Sequence, residues 1–192
     1  SEVSKDTAMK DLFVDIGAQD KADAETMVQI GDVCVYANDC FPLGANRVAS
    51  PAMDDRAACA LLIRFLQTVG ATKQTIIAVF SVQEEVGCRG AKGAAFQQEP
   101  DIGIVLEGTT CNDLGDVPET AHVCEAGQGV AVSFMDGASI ANRALFRKAL
   151  DVAKQENIPH QVKHSVSGGN DGGAIQRARE GVPVVVLSVP CR

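Results

Sequence analysis

Two apolar rhythms alternate from about residue 51 onward. Unbroken runs of aliphatic residues, "QTIIAVFSV" (74–82), "DIGIVLEG" (101–108) and "VPVVVLSVP" (182–190), read as strands buried on both faces. Between them lie segments with helical spacing. In "DDRAACALLIRFLQTVG" (54–70), residues Ala57, Ala58, Leu61, Leu62, Phe65 and Leu66 share one face, and the helix is expected to stop near Gly70. "GAKGAAFQQ" (90–98), "SIANRALFRKALDVAKQENI" (139–158) and "DGGAIQRAREG" (171–181) read as further helices. "AHVCEAG" (121–127), "GVAVSFMD" (129–136) and "HQVKHSV" (160–166) read as shorter strands, the first two as a hairpin. Strands alternating with helices predict an α/β domain, a mostly parallel sheet flanked by helices.

The first fifty residues follow another pattern. "DLFVDIGA" (11–18) reads as a short strand and "DVCVYA" (32–37) as a half-buried one, with a short helix between them that has Asp20 as its N-cap and Gly31 as its stop. The turn-rich "CFPLGANRVASPAM" (40–53) marks a boundary, giving domains at 1–50 and 51–192.

Composition narrows the function classes. The chain has 192 residues, a net charge of −8 and 4% aromatics, without a basic cluster, which excludes a nucleic-acid surface. No apolar run approaches the ~20 residues of a membrane-spanning helix. The polar opening "SEVSKDTAMKD" does not read as a secretory leader, and the lack of an initiating Met implies processing, tagging or truncation. Seven cysteines without a C-x-x-C pair fit reduced thiols in a cytoplasmic protein.

Acidic residues fall where the pattern places strand ends and loops. Asp54 and Asp55 open the first helix of the α/β domain, where capping would also explain them. Glu84 and Glu85 follow the run 74–82, where one glutamate could pair with Arg89 and the other face solvent. Glu107 ends the run 101–108. In an open α/β sheet such ends converge on one crevice. Carboxylates gathered there repel one another unless cations neutralise them. Two divalent ions sharing a carboxylate would do so and would activate a water, while one carboxylate left free takes its proton.

The motifs "MDDRAACALLI" (53–63), "SVQEEVGCRGAKGAA" (81–95), "EGTTCNDLGDVPE" (107–119) and "SGGNDGGAIQRAREGVPVVVLSVPCR" (167–192) resemble, in order, those of the glutamyl aminopeptidase family. These dinuclear-metal peptidases include the tetrahedral (TET) aminopeptidases and are sometimes labelled endoglucanases. The segment 11–32 also resembles the end of the family's β-rich inserted domain, which builds dimers and dodecameric shells. The resemblance implies a metal-dependent aminopeptidase acting on the N-termini of peptides and using two zinc or cobalt ions. Asp54 would bridge the metals with Asp55 supporting it, Glu85 and Glu107 would each bind one metal, and Glu84 would be the general base. Gly169, Asn170 and Asp171 would line the substrate side, although a turn plus a helix cap would also explain that stretch.

The family's site also uses two histidines, one in an upstream His-x-Asp motif and one just beyond the Arg that follows the last strand. His122, His160 and His164 match neither. The resemblance therefore implies an incomplete piece of the enzyme that binds metal weakly or not at all. Glycoside hydrolysis is a competing class, since it too uses two carboxylates. With no Trp and one Tyr, Tyr36, the chain is poorly equipped to stack sugars. A non-catalytic assembly domain is the third reading.

Overall fold

The computed structural model describes residues 11–35, 37, 39–166 and 168–192. The chain divides into two compact units, Ser1–Asp39 and Cys40–Arg192. In the first, α1 (Lys21–Met27) starts where the sequence places it, because Asp20 accepts a hydrogen bond from the Asp23 N–H at 2.9 Å. The segments 11–18 and 32–35, read as strands, form none among the described residues. Tyr36, within the second of those readings, lies outside the described residues.

The second unit opens with a hairpin inside the stretch read only as turns: β1 (Phe41–Leu43) pairs antiparallel with β2 (Arg47–Ala49). Next come α2 (Met53–Thr68), α3 (Arg89–Gln98), β3 (Gly103–Thr110), β4 (Val130–Ser133), α4 (Arg143–Gln155), β5 (His160–Val162), α5 (Asp171–Gln176) and β6 (Val184–Cys191). The main sheet has the order β3-β6-β4-β5. Both β3–β6 and β4–β5 pair in parallel and only β4–β6 is antiparallel, so the sheet is mixed but mostly parallel. β6 is central because Val184, Val185 and Val186 are buried on both faces. On β3 the alternation is one-sided: Gly103, Val105 and Thr109 are buried while Ile104 and Thr110 are exposed. α5 lies against the covered face, so close that a Cβ at Gly103 would fall 2.9 Å from the Ile175 side chain.

Three readings need correction. The run 74–82 is in no strand: among the described residues no strand pairs with it, and Ile76, Ile77, Val79 and Phe80 are exposed. An apolar run becomes a strand only when a neighbour accepts its backbone groups, and β3, the edge of the sheet, does not. For the same reason the apolar face of α2 stays open. Ala58 is its buried residue, while Leu61, Phe65 and Leu66 are exposed. Residues 121–127 form no hairpin strand with β4. Instead the Val123 N–H donates to the Cys111 carbonyl at 2.8 Å, closing the loop after β3.

Candidate functional site

Asp54 and Asp55 sit at the entry of α2 with different jobs. A cis peptide bond joins them. Their backbone angles, φ −89° and ψ 103° for Asp54, φ −125° and ψ 42° for Asp55, are not helical, so the regular helix begins at Arg56. Asp55 caps it, its Oδ1 accepting the Ala58 N–H at 3.2 Å. Asp54 instead reaches the sheet. A Cβ at Gly108 would lie 3.0 Å from the Asp54 Cβ and Cγ, so glycine beside Glu107 is what admits this carboxylate onto the strand.

Glu84 and Glu85 lie in a tight turn rather than at a strand end. The Gly87 and Cys88 N–H groups both donate to the Glu84 carbonyl at 2.9 Å, and the Gly90 N–H donates to Val82 at 2.9 Å. The turn delivers Cys88 beneath Glu84, where the thiol donates to Glu84 Oε1 at 3.5 Å. Ser81 ties the start of the turn to α5 by donating its hydroxyl to Asp171 Oδ2. Glu84, Cys88 and Asp171 thereby offer ligand atoms that all lie within 4.8 Å of one another, the one such group among the described residues. Glu85 is exposed and outside that group, and among the described residues no ion pair joins Arg89 to either glutamate.

Glu107 is held from below by uncharged donors. Ser188, fully buried on β6 at the position paired with Glu107, donates its hydroxyl to Glu107 Oε1 at 3.2 Å. Asn170, 2% exposed, donates from Nδ2 to the same oxygen at 3.4 Å and to Asp136 Oδ2 at 2.7 Å. Its Oδ1 accepts the Gly172 N–H at 2.8 Å, which fixes the amide so that the NH2 faces both carboxylates. Asp136 is held in turn by the Ala138 and Ser139 N–H groups, each at 2.7 Å, and by the Ser139 hydroxyl at 3.0 Å.

The glycine-rich stretch after residue 167 makes this approach possible (Ser167 itself lies outside the described residues). The Gly137 N–H bonds the Gly168 carbonyl at 2.8 Å, and a Cβ on Gly173 would fall 2.7 Å from both the Cβ and the carbonyl oxygen of Ala138. Gln176 and Arg177 add bonds to Ile140 and Ala138.

The acids feel one another. Burial, more than any neighbour, pushes the Glu107 carboxyl up to about 8; Asp136 and Asp54 push the same way, while Lys163 and Ser188 oppose. Asp55 rises to about 6, chiefly by burial against the pull of the Ala58 N–H, with Asp54, Asp171 and Glu84 adding repulsion. Glu84 is also raised, by burial first and then by Asp171, Glu85 and Asp54, while the Cys88 hydrogen bond opposes the rise. The Cys88 thiol is pushed up to about 12, mainly by burial and then by Glu84. Asp171 Oδ1 is buried without a hydrogen-bond partner. The ion pairs among the described residues, Lys21–Glu25, Arg179–Glu99 and Arg192–Asp113, involve none of these acids. Crowded, uncompensated carboxylates with an orphaned buried oxygen suit hard divalent cations, so the donor set fits a metal.

Sequence reading did not single out Asp136, Cys88, Ser188 or Lys163. The first carried a usable signal, since Asp-Gly with Ser three residues after the Asp is a side-chain-capped turn. The buried serine in an apolar strand carried a second.

A family model described as M42 glutamyl aminopeptidase matches residues 1–192. Over 186 residues the chain is 37% identical to a lysyl aminopeptidase of Pyrococcus furiosus, a match covering 94% of this chain and 51% of that protein. Among solved structures it resembles the aminopeptidase APDkam598 of the archaeon Desulfurococcus kamchatkensis, with TM-score 0.94, 30% identity, and coverage of 98% of this chain and 54% of that one. It also resembles the Pyrococcus horikoshii TET1 peptidase, which can assemble into a tetrahedron or a large octahedral shell, with TM-score 0.82, 29% identity, and coverage of 98% and 56%. The chain spans about half the length of the curated relatives it matches.

Proposed function

The chain belongs to the M42 glutamyl aminopeptidase family, and from that premise we propose that the whole protein is a metal-dependent aminopeptidase removing N-terminal residues from peptides. The observation that carries this reading is a chain of mutually repelling carboxylates, Glu84 with Asp171 and Asp54 and Glu107 with Asp54, in which Asp171 keeps a buried oxygen without a partner and no ion pair joins any of them among the described residues.

Asp54, freed from its helix and seated over Gly108, would be the carboxylate shared by the metals. Asp55 supports it by fixing the first turn of α2. Glu107 and Glu85 would each hold one of the metals. When bound, two zinc or cobalt ions supply a polarised peptide carbonyl and an acidified water. Glu84 is the general base: its raised proton affinity suits a group that takes a proton from water and returns it to the leaving amine. Gly169 and Asp171 line the substrate side, with Asn170 beneath them. The free amine of the substrate is held by a carboxylate of this cluster, which restricts cleavage to N-termini.

Residues 1–50 belong to the β-rich insertion through which family members associate, and the protein is a homo-oligomer between dimer and dodecamer. The shell formed by the Pyrococcus horikoshii TET1 peptidase supports this reading. Seven free thiols fit a cytoplasmic location. Among the described residues no helix is long and apolar enough to cross a membrane. The 192 residues alone bind metal weakly, since their site offers carboxylates and no matching imidazole.

Hydrolysis of aminoacyl 4-nitroanilides and of a soluble cellulose, each with and without chelator, tests the proposal. Chelator-sensitive release of nitroaniline without sugar release is expected. Chelator-insensitive cellulose hydrolysis overturns it.

A further inference from the structure

We infer that Asp136 is a positioning residue for the metal site: through Asn170 it sets the orientation in which Glu107 meets a cation. The inference rests on the reading of Glu107 as a ligand. Asp136 lies 29 positions beyond Glu107 and 34 before Asn170, on a loop that none of the family-like motifs contains.

The hydrogen bonds have one direction. Asp136 is 7% exposed, and its two oxygens receive the Ala138 N–H, the Ser139 N–H, the Ser139 hydroxyl and the Asn170 amide. Of these four donors, three come from its own turn, so the turn fixes the carboxylate first. The carboxylate then orients Asn170. The 2.7 Å bond to Asp136 is the strong one, and the 3.4 Å reach to Glu107 is what remains of the same NH2 group. The Gly172 N–H on Asn170 Oδ1 blocks the flipped amide. Glu107 therefore meets, on one oxygen, two donors whose places are set elsewhere: Ser188 by the central strand and Asn170 by Asp136. Its other oxygen receives no hydrogen bond from the described residues and is left for a ligand. A buried outer shell of this kind fixes which lone pairs a carboxylate presents. Asn170 acts here from beneath the cleft, since its side chain is enclosed and every polar atom is engaged.

The test is cation affinity in the whole enzyme, measured by chelator competition, together with the visible bands of its Co(II) form. Asp136→Asn keeps the shape of the side chain. Its carbonyl stays on the two backbone N–H groups, and its NH2 then faces the NH2 of Asn170, breaking that link; the Ser139 hydroxyl, which meets the same oxygen, can turn to accept from the new NH2, and Ser139→Ala controls for that contact. Cation affinity is expected to fall about 10- to 100-fold with altered Co(II) bands, while Ser139→Ala, which spares the link, stays within about threefold of wild type. Asn170→Ala should reproduce the loss and decides the matter if Asp136→Asn does not fold. Unchanged affinity in either variant, once shown to be folded, overturns the inference, as does an equal loss in Ser139→Ala. Glu107→Gln separates the two layers: if the wild type binds cations and this variant loses none of that affinity, the ligand reading itself fails and the inference falls with it.

Discussion

Replacing Glu107 by Gln in the metal-free chain removes a charge that burial opposes. The Glu107 carboxyl is held at about 8 rather than its ordinary 4.5, mainly because its surroundings exclude water. A group whose proton is bound more tightly in the folded state stabilises the fold at low pH. That contribution is lost as pH rises through the folded value, because unfolding then releases the proton. The affected window runs from about pH 4.5 to about pH 8. At about 1.4 kcal/mol per tenfold change in proton affinity, the loss amounts to as much as about 5 kcal/mol. Asp55, raised to about 6, acts in the same direction over the lower part of the window. Gln is uncharged throughout and fills nearly the same volume, so it matches protonated Glu near pH 5 and exceeds ionised Glu near pH 9. Urea denaturation with chelator present, near pH 5, 7 and 9, reads this directly. The wild-type midpoint should fall as pH rises and the Glu107→Gln midpoint should fall much less. Parallel pH profiles for the two proteins would refute the argument, and so would a wild-type midpoint that rises.

Three further outcomes follow from the same structure. Gly173→Ala should destabilise by about 1–3 kcal/mol, because the new Cβ meets Ala138 at 2.7 Å; a rise in thermal midpoint, as helix propensity alone predicts, would contradict the packing of the two loops. Arg192 donates two side-chain bonds to Asp113, at 2.7 and 3.0 Å, and holds its carboxyl well below the usual carboxylate range. That contribution is present above the ordinary carboxylate value and lost as pH falls, so Arg192→Ala should move the acid-unfolding midpoint, followed by circular dichroism, to higher pH. An unmoved midpoint would remove the clamp from the account. Calorimetric titration of zinc into the 192-residue chain should show no sub-micromolar site, and a sub-micromolar isotherm would show that its carboxylates suffice without imidazoles.

Much of this architecture was legible in the residue pattern because local chemistry determines it. Asp20 starts α1 as a capping residue should, α4 keeps its polar and apolar faces, and the consecutive valines of β6 form the centre of the sheet. The pattern misleads where burial depends on a partner. The run 74–82 has the composition of a core strand, yet composition does not say which strand pairs with it, and here none does among the described residues. At the site, residue type and place identified the acids, and only the family resemblance told neighbours apart. The structure separates neighbours: Asp55 caps while Asp54 reaches the sheet, and Glu84 is half-buried while Glu85 is exposed. Asp136 was legible as a turn residue but not as part of the site, because that part depends on Asn170, 34 positions away, which adjacency along the chain does not reveal.

The central claim is that Glu84 moves the proton in a carboxylate-built metal centre. Its most direct test is Glu84→Gln in the whole enzyme, with metal content and turnover of an aminoacyl 4-nitroanilide measured on the same sample. The account predicts unchanged metal stoichiometry with kcat lowered about 10²- to 10⁴-fold. Full metal content with wild-type turnover would contradict it.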